Sequence, residues 1–419
     1  MHSLKGAIFS LRDVLVKNQL EKEALIGAVQ LIRYLHSKNV QPVLVSNSNW
    51  VMTKSQQNFA DFLSEKVGFD LPYYLGGRDI PYKQKPEAMA KVLDDFGWKP
   101  QEVVYIGSTQ EDMIAAKNGR LLFLNAQWYA KNSPYGFEFS SAAEIAKFIE
   151  CCCLMPRDWF WGIDQNGLRC FSIAPLAEYS RRYPEAAEYS TDAKNATKFN
   201  KGDLRFWGLL MAARLHFSGL AAEADYVAPY PGHKTDSPQM LLTNALRIVS
   251  GSLRAQYLSD LVIRHTTAQK SQSLRRSGQL ATPENQLNTI RLRPDPIRTG
   301  PKQLRYKAPP LRPGKTVLVV DDICTQGNSF EAARSFIHAT GANVICVSWL
   351  KTPANDYSAI TKLDPAIKSP YSVYSPQKIG TTKHWMSNDI MNSSAPSEIQ
   401  AAFQRYSNWD WPVELQIKM

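Results

Sequence analysis

Lys315-Thr316-Val317-Leu318-Val319-Val320-Asp321-Asp322-Ile323-Cys324-Thr325-Gln326-Gly327-Asn328-Ser329 is the stretch on which the reading of this chain turns. An apolar strand ends in two acids, and a loop carrying hydroxyl and glycine residues then opens a helical pattern from Phe330 to Ala339. Strand, loop and helix in that order offer backbone N–H groups and the positive end of a helix to an anion. Two carboxylates beside such a loop can accept hydrogen bonds from sugar hydroxyls. The pairing suits a phosphorylated ribose.

The order of these residues resembles the 5-phosphoribosyl-1-pyrophosphate (PRPP) signature of type I phosphoribosyltransferases. The resemblance implies that Asp321 and Asp322 meet the ribose hydroxyls and that Thr325, Gln326, Gly327, Asn328 and Ser329 wrap the 5′-phosphate. Gln326 occupies one usual hydroxyl position. The alternative is an ordinary connection at the end of a strand in some other α/β domain.

Upstream, Ala224 to Pro229 reads as a short strand running into Tyr230-Pro231-Gly232-His233-Lys234. In the same resemblance this loop holds the pyrophosphate leaving group, with Gly232 letting the backbone approach and Lys234 supplying charge. His233 either assists or stands as a surface histidine. Arg264, Thr266 and Gln269, followed by Asn285-Gln286-Leu287, resemble the hood of ComF-type phosphoribosyltransferases, which implies a phosphate-binding role for Arg264. Mg²⁺ bound with PRPP, held by Asp321 and Asp322 if by any side chain, is the implied cofactor.

Earlier in the chain, short apolar strands alternate with amphipathic helical patterns. The strands are Gly6 to Leu11, Pro42 to Ser46, Val103 to Gly107 and Leu121 to Asn125. The helices run from about Gln19 to Lys38, from Lys54 to Val67 and from Met113 to Asn118. This is the pattern of a parallel, doubly wound sheet, whose ligands collect at the C-terminal strand ends.

At those ends stand Ser10, Arg12 and Asp13, then Ser46, Lys85, Ser108 and Asp112. Together they resemble the four motifs of the haloacid dehalogenase (HAD) superfamily over about residues 5–130. Ser10 falls where that family has its nucleophilic aspartate, Arg12 where it has the general acid/base, and Ser108 where it has a magnesium ligand. Phosphoryl transfer of that type needs a carboxylate to attack and carboxylates to hold the metal. The resemblance therefore implies a degenerate site, open to an anion through Ser46, Lys85 and Arg12 or serving only as a scaffold.

The expected fold class is α/β in two domains: an HAD-like Rossmannoid parallel sheet over 1–150, then a type I phosphoribosyltransferase fold over 155–419, its core at about 220–352, with a hood and an extra C-terminal segment. Asp158 to Ile173 reads as a hairpin turning at Asp164-Gln165-Asn166-Gly167. Leu176 to Leu204 has no clear period. The tail from Thr352 carries Trp385, Trp409 and Trp411, which a disordered segment rarely uses.

Charge is uneven. Residues 1–150 hold 17 basic and 16 acidic residues, whereas 251–320 hold 13 basic and 3 acidic. Such a segment attracts polyanions, whether PRPP, a nucleic acid or an acidic protein partner, or is simply a solvated surface. Within it, Arg305 and Lys307 either close over the phosphate site or remain in water. Six cysteines make no disulfide framework, and Cys151-Cys152-Cys153 are expected at a buried or semi-buried helix end. With no apolar run of about 18 residues and no export signal, the expected location is cytoplasmic and off the membrane. The functional expectation is a PRPP-dependent transferase of unknown acceptor joined to a non-catalytic HAD-like domain, a pseudophosphatase. The alternative is a non-catalytic regulator that binds PRPP, nucleotide or nucleic acid. Oligomeric state is left open, a homodimer included.

Overall fold

The computed structural model describes residues 2–17, 22–129, 136–155, 158–199, 201–235, 240–269, 282–298 and 303–415. Two sheets organise them. The first is built from β1 (Gly6–Ser10), β2 (Gln41–Ser46), β3 (Tyr73–Leu75), β4 (Val103–Gly107), β5 (Leu122–Ala126) and β6 (Glu138–Phe139), in the order β3-β2-β1-β4-β5-β6 with every pairing parallel. β1, β4 and β5 are buried along their whole length, as strands covered by helices on both faces must be. Their apolar runs are continuous rather than alternating for that reason. The order reverses at β1 and β4, which opens a crevice at their C-terminal ends and brings Ser10 beside the Gly107–Asp112 turn.

The helix expected over Gln19 to Lys38 spans Lys22–Ser37 among the described residues, and the next is shorter than its pattern, Phe59–Val67. Asn58 explains the late start. Its side chain accepts from Ala60 N, capping the helix there and leaving Lys54 to Gln57 in a turn.

The second sheet follows from β7 (Trp161–Gln165), β8 (Leu168–Pro175), β9 (Tyr226–Pro229), β10 (Gln256–Tyr257), β13 (Thr316–Cys324) and β14 (Asn343–Lys351), in the order β10-β9-β13-β14-β8-β7. Only the β7–β8 hairpin is antiparallel. Its turn is the expected one, with Asn166 at φ 51° and Gly167 at φ 75°. Two antiparallel ribbons stand outside the sheet: β11 (Val262–Arg264) with β12 (Ile290–Leu292), and β15 (Tyr357–Asp364) with β16 (Lys378–His384). The unreadable stretch after Leu176 contains a helix, Ala187–Phe199, whose polar composition hid its period.

Helix Leu204–Phe217 joins the two halves and is buried from Phe206 to Phe217. Its His216 ring nitrogen lies 3.1 Å from the carbonyl of Val103 in β4. The C-terminal segment returns to the first half: Trp409 Nε1 donates to Glu150 at 2.7 Å, and Tyr34 donates to the same carboxylate at 2.9 Å. The three adjacent cysteines lie buried in a single wide turn, Ile149–Cys153. No helix among the described residues is long and apolar enough to cross a membrane.

Candidate functional sites

At the crevice of the first sheet Ser10 ends β1 fully buried, and a lysine reaches it. That lysine is Lys83. Its Nζ lies 3.0 Å from Ser10 Oγ and 2.7 Å from Asp112 Oδ1, with both partners withdrawn from water. Lys85, the residue singled out from the sequence, is exposed and only precedes the helix Pro86–Phe96. The correction has a local cause. Asn47 Oδ1 accepts from Lys83 N at 2.9 Å, and the Asn47 amide donates to Gln84 at 2.9 Å, so the loop after β3 is turned with Lys83 inward.

Asp112 is the centre of this cluster. It accepts from Tyr105 OH at 3.0 Å, Ser108 N at 3.0 Å, Thr109 N at 2.9 Å and Thr109 Oγ1 at 2.8 Å. Burial pushes its proton affinity up, yet the Lys83 charge and these donors hold its carboxyl below the usual range. Gly107 is obligatory here, since a Cβ on it would come within 2.4 Å of Asp112 Cβ. Ser46 and Ser108 are buried nearby, and Ser46 Oγ donates to Ser48 O at 2.7 Å. Arg12 does not enter the cluster. It is exposed and lies 3.6 Å from Asp13, which sits at φ 58°.

A magnesium ion of the kind the HAD resemblance suggests does not fit these residues. One carboxylate is present, and it is already neutralised by an ammonium group in contact with it. Among the described residues no group of three or more His, Cys, Asp or Glu is arranged to hold a metal.

Residues 4–120 match the haloacid dehalogenase-like hydrolase family. This segment is an HAD-like hydrolase domain. Its curated relatives include a probable phosphoglycolate phosphatase of Pseudomonas putida, 28% identical over 93 residues, which are 22% of this chain and 35% of that protein. Phosphoglycolate phosphatase 1 of Pseudomonas aeruginosa is 28% identical over 97 residues, 23% of this chain and 34% of the relative. The chain thus spans about a third of the curated relatives it matches. Among solved structures, an HAD-superfamily hydrolase from Ehrlichia chaffeensis is 17% identical with a TM-score of 0.25, covering 36% of this chain and 97% of its own. An HAD-superfamily hydrolase of subfamily IA from Geobacter sulfurreducens is 12% identical with a TM-score of 0.24, covering 34% and 94%.

The second site lies at the C-terminal end of β13. Tyr230 N donates to Val320 O at 2.7 Å, so the loop after β9 begins level with the acidic pair. A polar cavity of about 120 Å³ opens there, lined by Asp321, Gln286 and the run Ile323 to Phe330. Asp321 is buried and Asp322 half-buried. Asp321 Oδ1 accepts from Asp322 N at 3.0 Å. Burial first, and the neighbouring Asp322 second, raise the proton affinity of Asp321 well above the ordinary carboxylate range.

The loop is held from behind. Cys324 O accepts from Thr352 N at 3.0 Å, Thr325 O from Lys351 Nζ at 2.6 Å, and Gln326 O from Ser358 N at 3.0 Å. A trans peptide points its N–H away from its carbonyl, so successive carbonyls tied to the back turn the loop's N–H groups forward. The Gly327 N–H is an exception, taken up by the Cys324 thiol. Helix Asn328–His338 then adds first-turn N–H groups, Ser329 and Phe330 among them, that the helix cannot satisfy itself. Gly327 sits at φ 83°, and a Cβ there would lie 2.1 Å from the Tyr357 ring. Glu331 fixes that ring: fully buried, it accepts from Tyr357 OH at 2.7 Å and Ile360 N at 2.6 Å and pairs with Arg334.

Arg264 is corrected in role. It is buried, and its guanidinium donates to Gly232 O, to Thr289 Oγ1 at 2.5 Å and to Gln286 Oε1 at 2.9 Å, with Tyr230 OH at 3.4 Å. Tyr230 OH donates to Gln286 as well, at 2.7 Å, and burial raises this phenol to about 12 against the opposing Arg264 charge. Arg264 therefore braces the loop that carries Gly232 rather than facing an open phosphate position. His233 and Lys234 are exposed at the tip of that loop, and His233 O accepts from Ala268 N at 2.9 Å. Gln269 exchanges hydrogen bonds with Asn285 at 3.2 and 2.9 Å, and Thr266 Oγ1 lies 2.9 Å from His265 Nδ1. The part of the expected hood from Lys270 to Leu274 lies outside the described residues.

Sequence reasoning did not find Lys83, Glu331, Lys351 or Tyr357. Glu331 carried a signal, an acid on the apolar side of a helix between Phe330 and Ala332. Lys351 carried another, a charge at the end of a buried strand. Arg305 and Lys307 are also placed differently from one of the two expectations: they stand with Tyr226, the first residue of β9, and Arg312, which precedes β13, at the end of the strands opposite the loop.

Proposed function

We propose that the region following the HAD-like domain is a PRPP-dependent phosphoribosyltransferase of type I fold, and that the HAD-like domain is non-catalytic. The observation that supports the reading is the placement of Asp321 and the Thr325–Ser329 loop around one small polar cavity, with Asp322 next to Asp321 on the same strand and the Tyr230–Lys234 loop starting level with them. A cavity of about 120 Å³ with forward-facing N–H groups has the size and polarity for a phosphate.

In this reading the ribose C1–oxygen bond to pyrophosphate breaks while C1 bonds to an acceptor nucleophile, through an oxocarbenium-like state. The loop and helix mouth hold the 5′-phosphate, and Asp321 with Asp322 hold the ring hydroxyls, fixing C1 between leaving group and acceptor. Lys234 and the Gly232 backbone attend the departing pyrophosphate, and Arg264 keeps that loop in register through Gly232 O. Asp321 and Asp322 would be the side chains to hold a Mg²⁺ that arrives with PRPP. Mg²⁺ bound in that way would neutralise the leaving group.

The test is pyrophosphate release from PRPP and Mg²⁺ by the full chain, against Asp321→Asn/Asp322→Asn, across bases, nucleosides and RNA as acceptors. Release that depends on the two acids supports the transferase. A second reading, a non-catalytic binding module, is favoured by the absence of an evident acceptor base among the described residues lining the cavity apart from Asp321 itself. Nucleic-acid or nucleotide binding unaffected by the double substitution, without turnover of PRPP, would select it.

A further inference from the structure

A cavity larger than the one at Asp321 lies away from the loop that follows β13. About 510 Å³ in volume, it is lined by Tyr226, Tyr306, Pro309 and Pro310 and by the cations Arg298, Arg305, Lys307 and Arg312. Its volume falls in the range of small-molecule sites, whereas the cavity at Asp321 is about a quarter of that. Position separates them too: Tyr226 opens β9 and Arg312 precedes β13, while the phosphate loop follows the other end of β13.

The walls combine two chemistries. Tyr226 and Tyr306 meet edge to face with ring centroids 6.4 Å apart, and burial first, with the neighbouring Tyr306 second, raises Tyr226 to about 12. The paired rings present an apolar face, and two consecutive prolines, Pro309 and Pro310, stiffen another part of the lining. Around these faces the charge is one-sided. Arg305 is engaged by Asp260 at 3.2 Å and Asp295 at 3.8 Å. Arg298, Lys307 and Arg312 form no ion pair among the described residues, and all three are exposed. Arg298 lies over the Tyr306 ring, 5.2 Å from its centroid.

We propose that this cleft is a second anion site that takes a nucleobase joined to phosphate, the base against Tyr306 and the proline wall and the phosphate on Arg298 and Arg312. Stacking on an aromatic ring beside guanidinium groups is the chemistry by which bases and their phosphates are held together without sequence readout. The ligand source is either a free nucleotide or one unit of a single-stranded nucleic acid. The site is independent of the transferase reading, because Asp321 takes no part in it.

Three probes distinguish the outcomes: a nucleoside triphosphate without metal, a fluorescein-labelled single-stranded oligonucleotide followed by anisotropy, and inorganic phosphate. Arg298→Ala/Arg312→Ala and, separately, Tyr306→Leu are expected to weaken binding at least tenfold. The arginine double variant should also flatten the dependence of oligonucleotide affinity on salt by about two counterions. Asp321→Asn is expected to change neither. Stronger binding of the triphosphate than of the oligonucleotide per site identifies the free nucleotide as the source, and the reverse identifies the strand. Tyr306→Leu touches a half-buried ring, so circular dichroism is run beside it, and the two exposed arginines carry the test if it misfolds. No binding of any nucleotide probe, binding that survives the arginine substitutions, or inorganic phosphate binding as well as the nucleotides would overturn the proposal.

Discussion

Lys83 Nζ lies 2.7 Å from Asp112 Oδ1, with both side chains almost entirely withdrawn from solvent. The pair links the loop after β3 to the turn after β4 and closes the crevice of the HAD-like domain around Ser10. Because each charge has been stripped of water, removing one leaves the other stranded.

Lys83→Met is therefore expected to cost about 3–5 kcal/mol in urea unfolding, and removing both charges together with Lys83→Met/Asp112→Leu should cost less than the sum of the single changes. A single change worth under about 1 kcal/mol would show that the pair is not buried in solution. The Asp112 carboxyl is held below its ordinary value, so its contribution is full above the unfolded carboxylate range and fades as pH falls through the lower folded value. Acid unfolding of Asp112→Asn should accordingly lose this component.

His216 gives the opposite ionisation with the same direction in pH. Burial in the helix that joins the two halves lowers it to about 3, with the Val103 carbonyl opposing. The unfolded imidazole takes a proton near pH 6.5 while the folded one stays neutral, so stability falls as pH drops from 6.5 toward 3. The full effect is on the order of 5 kcal/mol. His216→Gln should flatten stability against pH in that window, measured by denaturant midpoints at fixed pH. An unchanged slope would contradict a neutral buried His216.

Gly327→Ala tests the back wall of the phosphate loop. The left-handed backbone alone costs a residue with a Cβ about 1–2 kcal/mol, and the Tyr357 ring stands where that Cβ would go. The variant should melt lower than the parent and, on the proposed transferase reading, lose PRPP affinity together with stability. Adding Tyr357→Leu should return part of the stability, while PRPP binding should stay weak because the loop has lost its support. Full recovery of binding would mean that the ring, not the backbone, sets the loop.

Arg264→Met removes a buried guanidinium and leaves Gly232 O and Thr289 Oγ1 without their donor, while Gln286 Oε1 keeps Tyr230 OH. At about 1–3 kcal/mol for each unsatisfied buried polar group, a loss of at least about 2 kcal/mol is expected. If Arg264 braces the loop rather than binding phosphate, pyrophosphate inhibition of turnover should weaken along with PRPP affinity. 5′-phosphate analogues lacking the pyrophosphate should bind nearly as before. Equal loss for both ligands would return Arg264 to direct phosphate contact.

The elements read correctly from the sequence are those whose cause is local. The run Val317 to Val320 reads as a buried strand because it is apolar throughout, and Asn166-Gly167 reads as a hairpin turn because both positions take positive φ. The alternation of the first domain and the stop of each strand at a polar residue placed Ser10, Ser46, Ser108 and Asp112 at one edge. Glycine at 327 announced a tight loop before a helix, and so did the pair of acids. In each case the residues that carry the signal and those that respond to it are neighbours along the chain.

Tertiary structure decided what neighbours along the chain could not. Lys83 and Lys85 are two residues apart in an irregular loop with no period, and the choice between them was made by Asn47 from another strand end. Arg264 looked like a phosphate ligand until Gly232, Thr289 and Gln286 were brought around it. Arg305 and Lys307 sit near the acidic pair in sequence but at the far end of the strand in space, because β13 must be crossed to pass from one to the other. Charge and residue type say what a side chain can do. Which partners surround it, and therefore which of those things it does, is set only when segments tens of residues apart are packed together and deprived of water.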